Sequence, residues 1–207
     1  MKFLIALILA VALCENAFAK TAAANSPDTK HEIAVGLGTP SAMRFAVGWV
    51  FDFIDAFNNR KDKTSYYGCW SLTYHYQALD WMRVGGKFVY EGSGYEFYTD
   101  KAKTTKKGHH TLNWFGFMAT VQFTYLRTDF VKLYAGFDLG IGGVVSVDRY
   151  KAGFKSDNGK NVEREGSVIP AFDITPFGIL FGRSVYGVVE LNIGTDAFVK
   201  AGCGVRF

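Results

Sequence analysis

The sequence predicts an all-β fold: an eight-stranded antiparallel transmembrane β-barrel, with a short amphipathic helix in its first long connection. Three observations carry this. Eight segments alternate apolar with polar or small residues at period two, the pattern of a wall with one apolar and one polar face. After residue 19 the chain has no apolar run near the roughly 20 residues that a spanning helix needs, although 49% of its residues are hydrophobic and 16% aromatic. Phe, Tyr and Gly are abundant and Pro is held to four residues, as suits a closed sheet whose ladders need their donors.

The chain opens on an export pattern. Lys2 gives a positive start, Phe3 to Cys14 an apolar stretch, and Ala17-Phe18-Ala19 the small-x-small site of a signal peptidase. Residues 1–19 are therefore read as a cleaved signal peptide and 20–207 as one barrel domain. A lipoprotein site at Cys14 is disfavoured because Leu13 stands where that processing wants a small residue. Cys69 and Cys203 remain, and an exported chain invites a disulfide between them. Alternation opposes it: Cys69 shares a face with Ser71, Thr73 and Gln77, Cys203 with Val205 and Phe207, so both thiols are expected to be free.

The strands follow in order. The first, about 32–38, sets Ile33, Val35 and Leu37 against Ala34 and Gly36. The second, 66–78, turns Trp70, Leu72, Tyr74 and Tyr76 outward and Ser71, Thr73, His75 and Gln77 inward, then turns at Leu79-Asp80. In the third, 81–98, Met82, Val84, Phe88 and Tyr90 oppose Arg83, Lys87 and Glu91. The fourth, 112–125, presents Phe115, Phe117, Val121 and Phe123 outside, and turns at Arg127-Thr128-Asp129. The fifth, 131–147, sets Leu133, Phe137, Leu139 and Ile141 against Lys132 and Asp138. The sixth, 168–181, turns Asp173 and Thr175 inward but contains Pro170 and Pro176, each lacking a ladder donor. Segments 185–193 and 197–207 complete the wall. Short connections after the second, fourth and sixth strands belong on one side, and the long ones on the other, with Gly194-Thr195-Asp196 as a short exception.

Inside, alternation gathers Arg83, Lys87, Lys132, Lys200 and Arg206 with Glu91, Asp138, Asp173 and Glu190. An eight-stranded interior is just wide enough for side chains to fill, so this set is expected to pair into a polar network in preference to lining a conducting path. His75 shares the inward face with Ser71 and Thr73, yet no carboxylate on its strand would orient it, and no catalytic residue is assigned. In the connection 41–60, Phe45, Trp49, Phe53 and Phe57 recur every fourth residue, suggesting an amphipathic helix with Ser41 as N-cap. The connection 100–110 gathers Lys101, Lys103, Lys106 and Lys107, a basic loop able to contact anions. His109-His110 alone make a weak metal signal, and no metal or cofactor is expected. The connection 150–166 mixes charges without a diagnostic pattern.

Counting back from Phe207, Val205, Gly202 and Lys200 stand where the final strand of outer-membrane barrels carries its assembly signal, and the ending resembles that signal. Together with the export start and eight strands, the chain resembles the small outer-membrane barrels typified by the OmpA transmembrane domain and OmpX. That resemblance implies a Gram-negative outer membrane, insertion by the barrel-assembly machinery, and contact with outer-membrane lipid and lipopolysaccharide; nucleic acid is not an expected partner. The family's functions diverge, and fold alone does not choose among them. The expected role is structural or interactive at the envelope. A small-solute channel is the alternative, and a lipid A-modifying enzyme the further one, which would need a serine, a histidine and an acid converging near the outer rim.

Overall fold

The computed structural model describes residues 30–44, 64–98, 106–151 and 161–207. The expected signal peptide, Lys101, Lys103 and most of the 41–60 helix lie outside the described residues. Eight strands are present: β1 (His31–Gly38), β2 (Thr64–Leu79), β3 (Met82–Tyr98), β4 (Lys106–Arg127), β5 (Val131–Tyr150), β6 (Val162–Gly182), β7 (Val185–Gly194) and β8 (Val199–Arg206). Each pairs with its sequence neighbours, and β1 pairs antiparallel with β8 from Glu32↔Arg206 to Gly38↔Lys200, closing the barrel that the alternation predicts.

The polarity of this barrel is inverted relative to a water-soluble one. Val35, Trp70, Leu72, Phe117, Leu139 and Ile141 are at least half exposed on the outside, whereas Arg83, Gln122, Asp138, Asp173 and Asn192 are at most 1% exposed within. Cys69 is buried and Cys203 half-buried, and both are free. The β2–β3, β4–β5 and β6–β7 turns lie at one end together with His31 and Phe207, here called the lower end. There the β6–β7 turn uses Gly182, with φ of 121°, where a Cβ would meet the Val185 carbonyl at 2.4 Å.

Strand length is uneven. β1 and β8 have 8 residues each and β7 has 10, but β4, β5 and β6 have 22, 20 and 21. Three of these strands reach further at their upper ends than the alternation predicts. Lys106 to His110 belong to β4, not to a charged loop, and Val162 to Ser167 belong to β6, while β5 runs on to Tyr150. Cross-strand pairs hold the extension: Lys106 to Glu96 at 2.5 Å, His110 to Asp148 at 2.6 Å, and Tyr95 stacked on His110 with ring centroids 4.6 Å apart. β8 instead starts two residues late, because the Ala197 N–H turns aside to the Asp196 carboxylate (2.7 Å) and Ala197 bridges to Ser41. The two prolines of β6 find tolerant places. The β5–β6 and β6–β7 ladders both slip around Pro176, and Pro170 lies above the point where β7 begins to pair, on an edge.

Candidate functional site

The lumen holds two ionic clusters at different heights. In the lower one, Glu32 accepts from Arg83 (2.5 Å) and Arg206 (2.7 Å), with Lys132 at 3.9 Å. Arg83 also donates to Gln122 (2.6 Å) and lies 4.7 Å above the Tyr134 ring; Arg206 lies 4.4 Å from the Tyr186 ring and donates to the Arg183 carbonyl (2.7 Å). In the upper one, the Lys87 ammonium contacts Asp138, Asp196 (3.0 Å) and Asp173 (3.4 Å), and Lys200 bridges Glu190 (2.5 Å) and Asp196 (2.6 Å). Tyr134 donates its hydroxyl to Glu190 and so ties one cluster to the other.

His75 sits between them, buried, with its Nε2 2.7 Å from the Thr120 hydroxyl. It is a hydrogen-bonded interior group. A histidine–carboxylate pair does occur, but it is His110 with Asp148, high on the long strands and away from His75. The space left among Ser71, His75, Arg83, Gln122 and Lys200 is a cavity of about 20 Å³, room for roughly one water.

Above the upper cluster the lumen turns apolar. Cys69, Val89, Trp114, Met118, Ala171 and Ala197 form a buried cluster. The β7–β8 connection folds down onto it: Trp114 donates its indole N–H to the Thr195 carbonyl (3.2 Å), Asn192 donates to the Ala197 carbonyl (3.0 Å), and Asp196 is wholly buried. At the rim, Ser41 Oγ accepts from the Arg44 N–H (3.3 Å), capping a helical turn at residues 42–44, and Arg44 reaches over to Glu91 (3.4 Å) and Ser93.

The residues assigned to the lumen therefore divide. Arg83, Lys132 and Arg206 gather in the lower cluster, Lys87, Asp138, Asp173, Glu190 and Lys200 in the upper one, and Glu91 stands apart at the rim. Glu32 and Asp196 are the partners that sequence reasoning missed. Glu32 continues the inward face of Ala34 and Gly36 and was open to counting, whereas Asp196 lies in a connection where no periodicity applies. Of the basic residues at 100–110, Lys106 pairs with Glu96 and Lys107 lies 5.9 Å from the Tyr150 ring. Of the terminal set, Lys200 is buried, Gly202 sits so close to the Val35 carbonyl that a Cβ would be 2.1 Å from it, and Val205 and Phe207 point outward. Phe207 exchanges backbone hydrogen bonds with His31 (2.9 and 3.0 Å), and their rings stack at 5.8 Å.

The long strands rise past the rest as an upright sheet. The β5–β6 ladder continues to Arg149↔Val162, but β7 pairs with β6 only from Asp173 downward, so among the described residues 164–171 form an open edge.

No protein-family model matches the chain, and no curated protein does. Among solved structures it is similar to Ail, the attachment invasion locus protein of Yersinia pestis. A crystal structure of Ail with the heparin analogue sucrose octasulfate gives a TM-score of 0.49 at 15% identity, covering 86% of this chain and 99% of that one. The backbone structure of Yersinia pestis outer membrane protein Ail in a phospholipid bilayer nanodisc gives a TM-score of 0.43 at 17% identity, covering 87% and 100%.

Proposed function

We propose that this protein is an integral outer-membrane β-barrel, of the small-barrel kind typified by the OmpA transmembrane domain and OmpX, with a non-enzymatic role at the cell envelope. On this reading residues 1–19 are removed on export, Lys200, Gly202, Val205 and Phe207 guide insertion by the barrel-assembly machinery, and the short turns face the periplasm. The observation that carries it is the inverted polarity of a closed barrel, apolar outside and ionic within, which lipid favours and water penalises.

The filled lumen supports a plug over a channel, since a cavity of about 20 Å³ is no continuous path. The interaction role rests on the upright sheet, whose edge at 164–171 has no ladder partner on the β7 side among the described residues and is of the kind that takes up an extended strand. Lys106 and Lys107, high on β4, add basic charge near the lipopolysaccharide surface.

Cysteine labelling tests the reading. In a background with Cys69 and Cys203 replaced by Ser, a membrane-impermeant maleimide applied to intact cells should modify V162C, high on β6, and leave S184C untouched until the outer membrane is permeabilised. Equal labelling of both, or neither position accessible, would overturn it. Planar-bilayer recordings of the folded protein should show no sustained conductance.

A further inference from the structure

The outer wall carries a feature that the lumen and the upright sheet do not use. Where β4, β5 and β6 pass the upper limit of the apolar belt, an open groove of about 310 Å³ runs across their outer face. Its walls are Phe115, Phe117, Ile141 and Val168, and its floor is bare backbone at Gly143 and Gly166. Phe115 leans over Gly143, where a Cβ would lie 2.6 Å from its ring, but a Cβ at Gly166 would meet nothing nearer than the Val144 carbonyl at 3.7 Å. The groove is thus vacant at Gly166 and not filled from within.

Its height matters. A spanning strand needs about 9–11 residues, so the hydrocarbon span counted from Val131 at the lower end of β5 finishes near Ile141. The groove straddles that boundary. Directly above it, on the same outward face by alternation, stand Arg164, two residues or about 7 Å beyond Gly166, and Arg149, four residues or about 13 Å beyond Val145. Among the described residues neither arginine has an acidic partner, and Glu163 and Glu165 turn to the opposite face. An apolar slot at the edge of the hydrocarbon, with two guanidiniums above it that have no acidic partner among the described residues, matches an amphiphile whose acyl chain lies below and whose phosphate lies above, and Arg is the side chain suited to phosphate.

We propose that this groove holds an acyl chain of lipid A from the outer leaflet, with Arg149 and Arg164 on its phosphate. The inference rests on the membrane reading above. The protein is folded into bilayers containing equal parts of lipid A, dephosphorylated lipid A and phosphatidylethanolamine, transferred to mild detergent, and the retained lipid counted by native mass spectrometry. Wild type should retain lipid A over the other two. Gly166→Phe, which fills the slot, should lower retention roughly tenfold, and the double variant R149Q/R164Q should retain the phosphorylated and dephosphorylated forms alike.

A Gly166→Phe protein that still shows the heat-dependent mobility shift of a folded barrel and retains lipid A like wild type would overturn the proposal. If that variant fails to fold, Gly166→Leu decides in the same way. Equal retention of phosphatidylethanolamine by wild type would also overturn it, leaving ordinary boundary lipid. Insertion without selectivity sinks the groove alone, whereas failure of wild type to insert at all sinks the membrane reading with it.

Discussion

The two lumen clusters are built from the same chemistry with opposite imbalance. The upper one sets two ammoniums, Lys87 and Lys200, among four carboxylates; the lower one sets three cations around the single carboxylate of Glu32. Each is unbalanced alone, and together the five cations match the five carboxylates. The excess is handled differently at each level. Below, aromatic faces at Tyr134 and Tyr186 receive the surplus guanidiniums, while above, a hydroxyl from Tyr134 and the backbone N–H of Ala197 feed the surplus carboxylates. Neutrality here belongs to the whole lumen, so damage at one level should be felt at the other.

The largest expected effect comes from removing the cation that most carboxylates share. Lys87→Met leaves Asp138, Asp173 and Asp196 facing one another in a dry interior and should destabilise the barrel by roughly 3–5 kcal/mol. A urea titration in detergent, followed by the loss of the folded gel band, measures it. Adding Asp138→Asn should recover part of that loss; no recovery would mean that the packing of Lys87, not its charge, matters. Glu32→Gln should cost about 3 kcal/mol in the same assay, because Arg83, Arg206 and Lys132 lose their common anion. If it is harmless, the aromatic faces alone suffice below.

Asp196→Asn is expected to cost about 1–3 kcal/mol and to speed proteolysis near 194–198, since the carboxylate anchors the β7–β8 connection to both lysines. Tyr134→Phe, which removes the tie between levels, should cost about 1 kcal/mol. Its combination with Glu32→Gln should be non-additive if the clusters communicate. At the small end, Glu96→Gln on the upright sheet breaks a half-exposed pair with Lys106 and should cost under about 1 kcal/mol, less in high salt.

Much of this was legible in the chain because parity decides direction. Once one outward residue of a strand is fixed, Arg83, Lys87, Asp138 and Asp173 follow as inward by counting. Parity says nothing about height or partner. That Lys87 of β3 meets Asp138 and Asp173, two and three strands away, depends on the stagger of the ladders, which no local pattern records. The extension of β4 was hidden for another reason: Lys106, Gly108 and His109 are weak strand formers, and the residues that hold the extension, Glu96, Tyr95 and Asp148, are distant in sequence or lie on another strand. Asp196 gave no periodic signal because its connection has no period. The 42–44 turn shows the reverse case, where Ser41 was recognisable as a cap from the residues that follow it.

The seam between β1 and β8 has a consequence in time. Glu32 and Arg206, bonded across it, are 174 residues apart, and the last residue of the chain exchanges both backbone bonds with His31. Closing so long a loop costs about 4–5 kcal/mol in chain entropy beyond its constant part. No partial product that lacks β8 can make this bond. Until β8 joins β7, β1 and β7 stand as open edges of a sheet, so the contacts that close the ring are among the most non-local and slowest to form.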